Sequence, residues 1–202
     1  MIDHFDMYFG LPDGLIELSC PSTLRITGKD YDVPKSMDEL TNNICYGQRL
    51  FLTREEVNDI GTIFRMVDGY YYPIVERLKW DEDKVLPFGN KVLDCLVKEV
   101  YPVSIHLINL LKEMIEREEQ LLSREYTKME KAAGIEKLNL YAELNSLHFL
   151  RDTMKCSVPE VLLTPYNECL VHFMNAKAVA DYQDRYVKLQ REQTEIKPKY
   201  SK

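Results

Sequence analysis

The sequence predicts a mainly α-helical single domain with a small β-hairpin near its N-terminal end. Two observations predict this class. Gly and Pro interrupt short apolar runs over the first 35 residues, and from residue 36 onward the helix-start pattern Ser/Thr-x-x-Glu occurs four times. With 202 residues, 45% of them hydrophobic, the chain can bury one substantial core. We expect a β-rich segment over residues 1–35, a helical domain over 36–193 and a flexible tail over 194–202.

The predicted hairpin lies in the N-terminal segment. The runs "STLRIT" and "KDYDVP" flank Gly28, and a Gly-Lys turn between them would join two short strands. The run "LIELSC" is a candidate third strand. Because two or three strands are marginally stable by themselves, this segment should pack against the helices.

Helix starts are predicted where a hydroxyl can cap an early amide and a glutamate three residues later can reach back to the cap residue. Such capping boxes begin at Ser36, Thr53, Thr127 and Ser157. Further starts are indicated at Asp81, at Pro102 and at Thr164 with Pro165 in the first helical position. The helix from Thr53 should end at Met66 or Val67, before Gly69.

Apolar residues at steps of three and four predict three longer helices. The first carries Val103, Leu107, Leu110, Met114 and Leu121; the second follows a break at Gly134 and carries Leu140, Leu144, Leu147 and Met154; the last runs from Pro165 to about Gln193. His106 lies beside the first stripe. We expect it to be a mostly buried, structural histidine.

Charge and hydropathy exclude several classes of partner. The 33 acidic and 26 basic side chains leave a net charge of −7, which disfavours nucleic acid as a partner. The longest helix-compatible stretch without a charged residue spans residues 100–111, shorter than the ~20 residues of a membrane span. The start "MIDHFDMYFG" lacks the pattern of a secretory signal. We therefore expect a cytoplasmic protein without a membrane partner.

The stretch "SVPEVLLTPYNECLVHFM" could be the second half of a DNA-binding helix-turn-helix. A recognition helix needs side chains that contact base edges and cations for the flanking phosphates. Residues 157–175 contain neither Lys nor Arg. The stretch is therefore interpreted as a packing helix, within this chain or against a partner.

The usual catalytic and metal-binding motifs are absent from the sequence. It contains no phosphate-binding G-x-x-x-x-G-K-[ST], no G-x-G-x-x-G, no H-E-x-x-H and no C-x-x-C. The four histidines are scattered, and the five cysteines form no close pair, which indicates reduced thiols. Cys169 and His172 lie within one helical turn, but no third catalytic residue can be identified beside them. We predict no enzyme activity, no cofactor and no metal.

Aromatic residues supply the candidate partner-binding site. Tyrosine and tryptophan combine a large rigid contact area with a polar tip, which suits interfaces, although burial in the core is their commoner fate. The predicted partner-binding residues are Tyr70, Tyr71, Tyr72 and Trp80, in a helix end or loop, together with Tyr182 and Tyr186 on the last helix. Only a surface-exposed cluster would support this role.

Several short motifs resemble those of bacteriophage tail assembly chaperones. They lie in "SMDELTNNICYGQRLFL", "TKMEKAAGIEKL" and "SVPEVLLTPYNECLVHFM", followed by "DYQDRY", and the similarity extends loosely over residues 22–190. The resemblance implies a non-enzymatic protein that binds and solubilises the helical tape-measure protein while the phage tail assembles in the host cytoplasm. The alternative is a structural virion component, such as a neck, connector or tail-completion protein, with self-association left open.

Overall fold

The computed structural model describes residues 18–54, 60–124, 126, 128–135, 137 and 141–196. Helices dominate the described chain, and a two-stranded antiparallel hairpin precedes them, as the sequence predicts. The elements in chain order are β1 (Thr23–Ile26), β2 (Lys29–Asp32), α1 (Met37–Asn43), α2 (Tyr46–Arg54), α3 (Ile60–Glu76), a short 3-10 helix (Glu82–Lys84), α4 (Val85–Leu93), α5 (Val97–Leu122), α6 (Lys128–Ala132), α7 (Ala142–Met154), α8 (Val158–Leu163) and α9 (Tyr166–Ile196).

The hairpin forms where the sequence predicts it. β1 and β2 pair antiparallel, with Thr23 opposite Asp32 and Ile26 opposite Lys29. The turn consists of Thr27 and Gly28, one residue earlier than the predicted Gly-Lys turn, because Lys29 already pairs with Ile26 in the ladder. Both turn residues have positive φ values, 50° and 79°, as a two-residue hairpin turn of this kind requires. Of the candidate third strand, residues 15–17 lie outside the described chain and residues 18–20 form no strand.

Most of the predicted helix starts that fall on described residues are confirmed. The Ser36 hydroxyl caps α1 by accepting from the Glu39 amide at 3.3 Å. Ser157 caps α8, where the Glu160 carboxylate accepts from the Ser157 amide at 2.7 Å. Asp81 caps the 3-10 helix, and α9 begins one residue after Pro165. Thr127 lies outside the described residues, immediately before α6.

Two predicted starts are wrong because both residues lie inside helices that begin earlier in the chain. Thr53 lies in the last turn of α2, where its hydroxyl donates to the Arg49 carbonyl at 2.9 Å. Pro102 lies inside α5, which begins five residues earlier at Val97. A buried proline inside a helix leaves one carbonyl of the preceding turn without its usual donor.

Helix α3 also passes through Gly69, the residue at which the sequence predicts an end. The helix continues to Glu76 even though it contains Pro73. Proline removes the amide that would bond the carbonyl four residues earlier, which belongs to Gly69. That carbonyl instead accepts from the buried Gln48 Nε2 of α2 at 3.2 Å. The bond from α2 satisfies the polar group that would otherwise oppose a continuous helix.

The main core lies between the hairpin and helices α1, α3, α4 and α5. α3 is central, since it packs against α2, α4 and α5. The largest fully buried side chains of this core include Tyr71, Tyr72, Leu24, Ile26, Leu40, Leu107 and Met114. The hairpin contributes Leu24 and Ile26 from its inner face, so it is packed on the helices as expected.

A second apolar cluster joins α2, α7, α8 and α9. It contains Tyr46, Leu50, Leu150, Val161 and Cys169. Next to it, two backbone hydrogen bonds tie the starts of α2 and α9 together: Tyr46 N donates to the Thr164 carbonyl at 2.9 Å, and Tyr166 N donates to the Ile44 carbonyl at 3.1 Å. The start of α9 is therefore fixed to the body of the protein.

His106 is half-buried rather than mostly buried. Its Nε2 lies 2.7 Å from the Pro34 carbonyl oxygen, which links α5 to the segment after the hairpin. The structural role that the sequence predicts for this histidine agrees with this contact, although its side chain retains partial access to solvent.

Gly47→Ala is expected to destabilise the protein by about 1–3 kcal/mol. A Cβ at this position would lie 2.7 Å from Trp80 Cδ1 and 2.9 Å from the Leu162 carbonyl oxygen, so α2 could no longer approach both. Alanine has the better helix propensity by about 1 kcal/mol, so an unstrained site would gain stability. Denaturant unfolding of both proteins checks this, and an unchanged or higher midpoint for the variant would contradict it.

Candidate partner-binding face

Helix α9 is anchored to the body along one face only. Tyr166, Cys169 and Leu170 are buried in its first turns. Phe173 stacks on Phe149 of α7, with ring centroids 5.5 Å apart. Because the helix is 31 residues long, about 46 Å, these contacts account for less than a third of it.

Two polar contacts hold the middle of α9 against the end of α5. Lys177 Nζ donates to the Leu121 carbonyl at 3.0 Å, which satisfies a carbonyl in the last turn of α5. Arg124 lies 3.8 Å from the Asp184 carboxylate. From residue 182 to residue 193, every side chain of α9 is exposed.

A stripe of exposed apolar side chains follows the opposite face of α9. We call it the outer stripe; its members are Val171, Met174, Val179, Tyr182, Tyr186 and Leu189. Tyr182 lies nine residues after Phe173, a separation that places the two side chains about 180° apart around a helix. The outer stripe is thus directed away from the body, over a length of about 27 Å.

Tyr182 and Tyr186 form the aromatic centre of this stripe. They are 67% and 51% exposed, and their rings stack with centroids 6.2 Å apart and planes 21° apart. Gln190 Nε2 donates to the Tyr186 hydroxyl at 2.9 Å. The two rings therefore present one ordered aromatic surface to solvent, consistent with the role predicted for these two residues.

The other four predicted binding residues lie in the core, and the surface role expected of them is corrected. Tyr70, Tyr71 and Tyr72 are at most 2% exposed and Trp80 is 8% exposed. The sequence predicts a helix end or loop for these residues, but α3 continues past the three tyrosines and packs against α2, α4 and α5. Trp80 does lie in the connection after α3, where its ring packs edge-on against Phe51. Consecutive side chains project in different directions around a helix, so each of the three tyrosines on this central helix contacts a different part of the protein.

The contacts of these tyrosines are internal. The Tyr71 hydroxyl donates to the Asp32 carbonyl of the hairpin at 3.1 Å, and the Tyr72 ring packs edge-on against Phe88 of α4. Burial raises the pKa of Tyr70 to about 12 and that of Tyr71 further. All three rings therefore contribute to packing rather than to a binding surface.

A polar cluster beside α9 joins α2 to α5, and residues of α7 and α9 line the same cavity. Arg49 of α2 and Glu118 of α5 form a two-pronged ion pair, and Arg49 Nε donates to Glu118 Oε1 at 3.0 Å. Tyr166 of α9 and Ser146 of α7 line the same cavity of about 340 Å³. Burial, followed by the charge of Glu118 and a hydrogen bond to it, raises the pKa of Tyr166. Because the charges satisfy each other, the arrangement is structural.

The sequence does not predict this ion pair. Glu118 belongs to "KEMIEREEQ", which is charged enough to predict a solvated helix face, and Arg49 lies 69 residues away. Periodicity within one helix carries no information about such a distant partner.

Cys169 lacks the features of a catalytic nucleophile, and the described residues hold no metal-ligand cluster. Cys169 is fully buried, and burial raises the pKa of its thiol to about 12, the opposite of an activated nucleophile. Among the residues that the structure describes, no three His, Cys, Asp or Glu side chains are grouped so as to hold a metal ion. An open cavity of about 550 Å³ between α2, α7 and α8 has a largely apolar lining that includes Trp80 and Leu147.

The described helices also bear on the membrane question. Within the ranges given above, no helix combines the length and the apolar character needed to cross a bilayer.

Comparison of the chain with known protein families, with curated proteins and with solved structures returns no match.

Proposed function

We propose that this protein is a non-enzymatic binding protein that packs the outer stripe of α9 against an apolar stripe on a helical segment of a partner. The proposal rests on one observation: the face of α9 that no other element covers is apolar. A helix that packs only against the core of its own chain needs one apolar face and has polar residues on the opposite face. α9 has apolar residues on both.

The spacing within the stripe suits a helix as the ligand. Val179, Tyr182, Tyr186 and Leu189 are exposed and follow one another at steps of three, four and three residues, which is the spacing of a two-helix seam. A helix of about 18 residues would cover the stripe from Val171 to Leu189. The mixed charged and amide residues on either side would form a polar rim.

The resemblance to tail assembly chaperones makes a tape-measure protein the first partner to test. Such a client is a long helix with apolar stripes. A net charge of −7 would help the complex to resist aggregation. In the alternative role, as a structural virion component, the same stripe would pack against a neighbouring subunit. Mass spectrometry of purified virions separates the two roles, because a chaperone is absent from them and a structural component is present in fixed copy number.

Replacing Tyr182 and Tyr186 together with serine is expected to abolish solubilisation of the tape-measure protein in co-expression and to weaken binding at least thirtyfold. Truncation of interface anchors typically lowers the binding free energy by about 2 kcal/mol or more. The measurements are the soluble fraction of the co-expressed partner and the dissociation constant of the purified complex.

Tyr141→Ser is the matched control, because Tyr141 is also a tyrosine, is 61% exposed and lies outside α9. It should behave as wild type. Equal partner solubility with wild type, with the double variant and without this protein would contradict the proposal, provided that circular dichroism shows the double variant folded.

A further inference from the structure

Asp68 is a carboxylate buried between two helices of the main core. The residue is 7% exposed, and its Oδ1 atom is buried without a hydrogen-bond partner in the described structure. α4 lies directly against it: a Cβ at Gly89 would be 2.7 Å from Asp68 Oδ2. The carboxylate therefore faces the backbone of α4, and the close contact leaves no room for water between them.

Two titratable groups interact electrostatically with this carboxylate: Arg65 of the same helix and Cys95, beyond the end of α4. Burial raises the pKa of Asp68 to about 7, and Arg65, one turn earlier on α3, opposes that rise. The Cys95 thiol lies beyond the end of α4, and its pKa is raised by burial first, then by Glu99, Asp94 and Asp68. The surroundings of Asp68 thus favour the neutral acid.

We propose that ionisation of Asp68 is a switch that loosens α4 from α3. A buried carboxylate without a partner is strongly destabilised unless water or a donor reaches it. Since Oδ1 is buried and Gly89 of α4 stands against the carboxylate, hydration of Oδ1 would require α4 to move outward. The movement would uncover the inner face of α4, formed by Val85, Phe88 and Val92, beside leucines of its outer face that are already exposed. This inference does not depend on the proposed function of α9.

The direction of the pH dependence follows from the raised pKa. In the closed state α4 is packed on α3. The stability that neutral Asp68 gives to this state is fully present below its ordinary pKa of 3.8 and is lost as the pH rises through about 7. Above that pH Asp68 is ionised in both the closed and the open state, so the equilibrium constant for opening no longer changes with pH. Within the window, the equilibrium constant for opening should rise by up to about tenfold per pH unit.

Hydrogen–deuterium exchange of residues 85–93 at pH 5 and pH 7.5, corrected for intrinsic rates, tests the switch. In wild type, protection of α4 should fall on the order of tenfold or more between the two pH values. Asp68→Asn should remove this fall and keep α4 protected at both. Asp94→Asn, at an exposed aspartate at the end of α4, is the matched control and should behave as wild type.

A second measurement uses the wild-type protein and needs no variant. The ¹³C resonance of the Asp68 carboxyl should titrate with a midpoint near neutrality. A midpoint below about 5, in the ordinary range of aspartate, would overturn the proposal. So would an α4 whose protection changes with pH no more than that of α5.

Discussion

Replacing Tyr71 with alanine is expected to destabilise the protein by about 3–5 kcal/mol, a large part of the roughly 5–15 kcal/mol that is ordinary for a folded domain. The side chain is fully buried, contacts Tyr70 and Tyr31 edge-on, and bonds the hairpin through its hydroxyl. Alanine would leave a cavity between α3 and the hairpin and an unpaired carbonyl at Asp32. The measurement is the free energy of unfolding in urea.

Tyr182→Ala is the matched control for this prediction. It removes the same side chain from a position that is 67% exposed, so the free energy of unfolding should change by no more than about 0.5 kcal/mol. A small effect at Tyr71, or equal effects at the two positions, would contradict the assignment of Tyr71 to the core. The contrast also explains why replacing Tyr70, Tyr71 and Tyr72 cannot test binding: the variant would not fold.

Glu118→Ala is expected to destabilise the protein by about 3 kcal/mol, because it leaves the Arg49 guanidinium without its partner in a partly buried site. The side chains of Arg49 and Glu118 are 22% and 14% exposed, so solvent screens the remaining charge only weakly. The loss should also loosen α9, since Tyr166 lines the same cavity. Chemical denaturation gives the stability, and exchange of residues 166–177 gives the local effect.

Two variants isolate the ion pair from other effects. Glu119→Ala removes the exposed neighbouring glutamate of the same helix and should be close to neutral. The double variant Arg49→Met with Glu118→Leu should recover much of the stability, because the isolated charge is then absent. If Glu118→Ala and Glu119→Ala are equally stable, the ion pair does not hold these helices together.

The features that the sequence predicts correctly are those whose causes are local. The starts at Ser36 and Ser157 depend on contacts within three residues: the Ser36 hydroxyl accepts from the Glu39 amide, and the Glu160 carboxylate accepts from the Ser157 amide. The hairpin turn depends on Gly28, which adopts a positive φ without strain. The start and approximate end of α9 follow from Pro165 and from apolar spacing within the helix. Neighbours in sequence suffice for each of these, so no knowledge of the fold is required.

The errors arise where a distant residue reverses a local preference. Gly69 and Pro73 both disfavour a helix, yet α3 continues because Gln48 of another helix bonds the carbonyl that Pro73 leaves without a donor. That continuation places the tyrosines in the core. From the same glycine the sequence predicts a helix end, which makes the tyrosines candidates for a binding surface.

The candidate site on α9 also combines features that have local causes with features that depend on distant residues. The sequence by itself determines that the last helix carries apolar residues at helical spacing, among them Tyr182 and Tyr186, because periodicity is a property of one helix. Only the tertiary structure decides which face of that helix is covered, since Phe149, Leu121 and Arg124 approach it from α7, α5 and the segment after α5. Coverage depends on contacts between residues far apart in the chain, which local pattern does not encode.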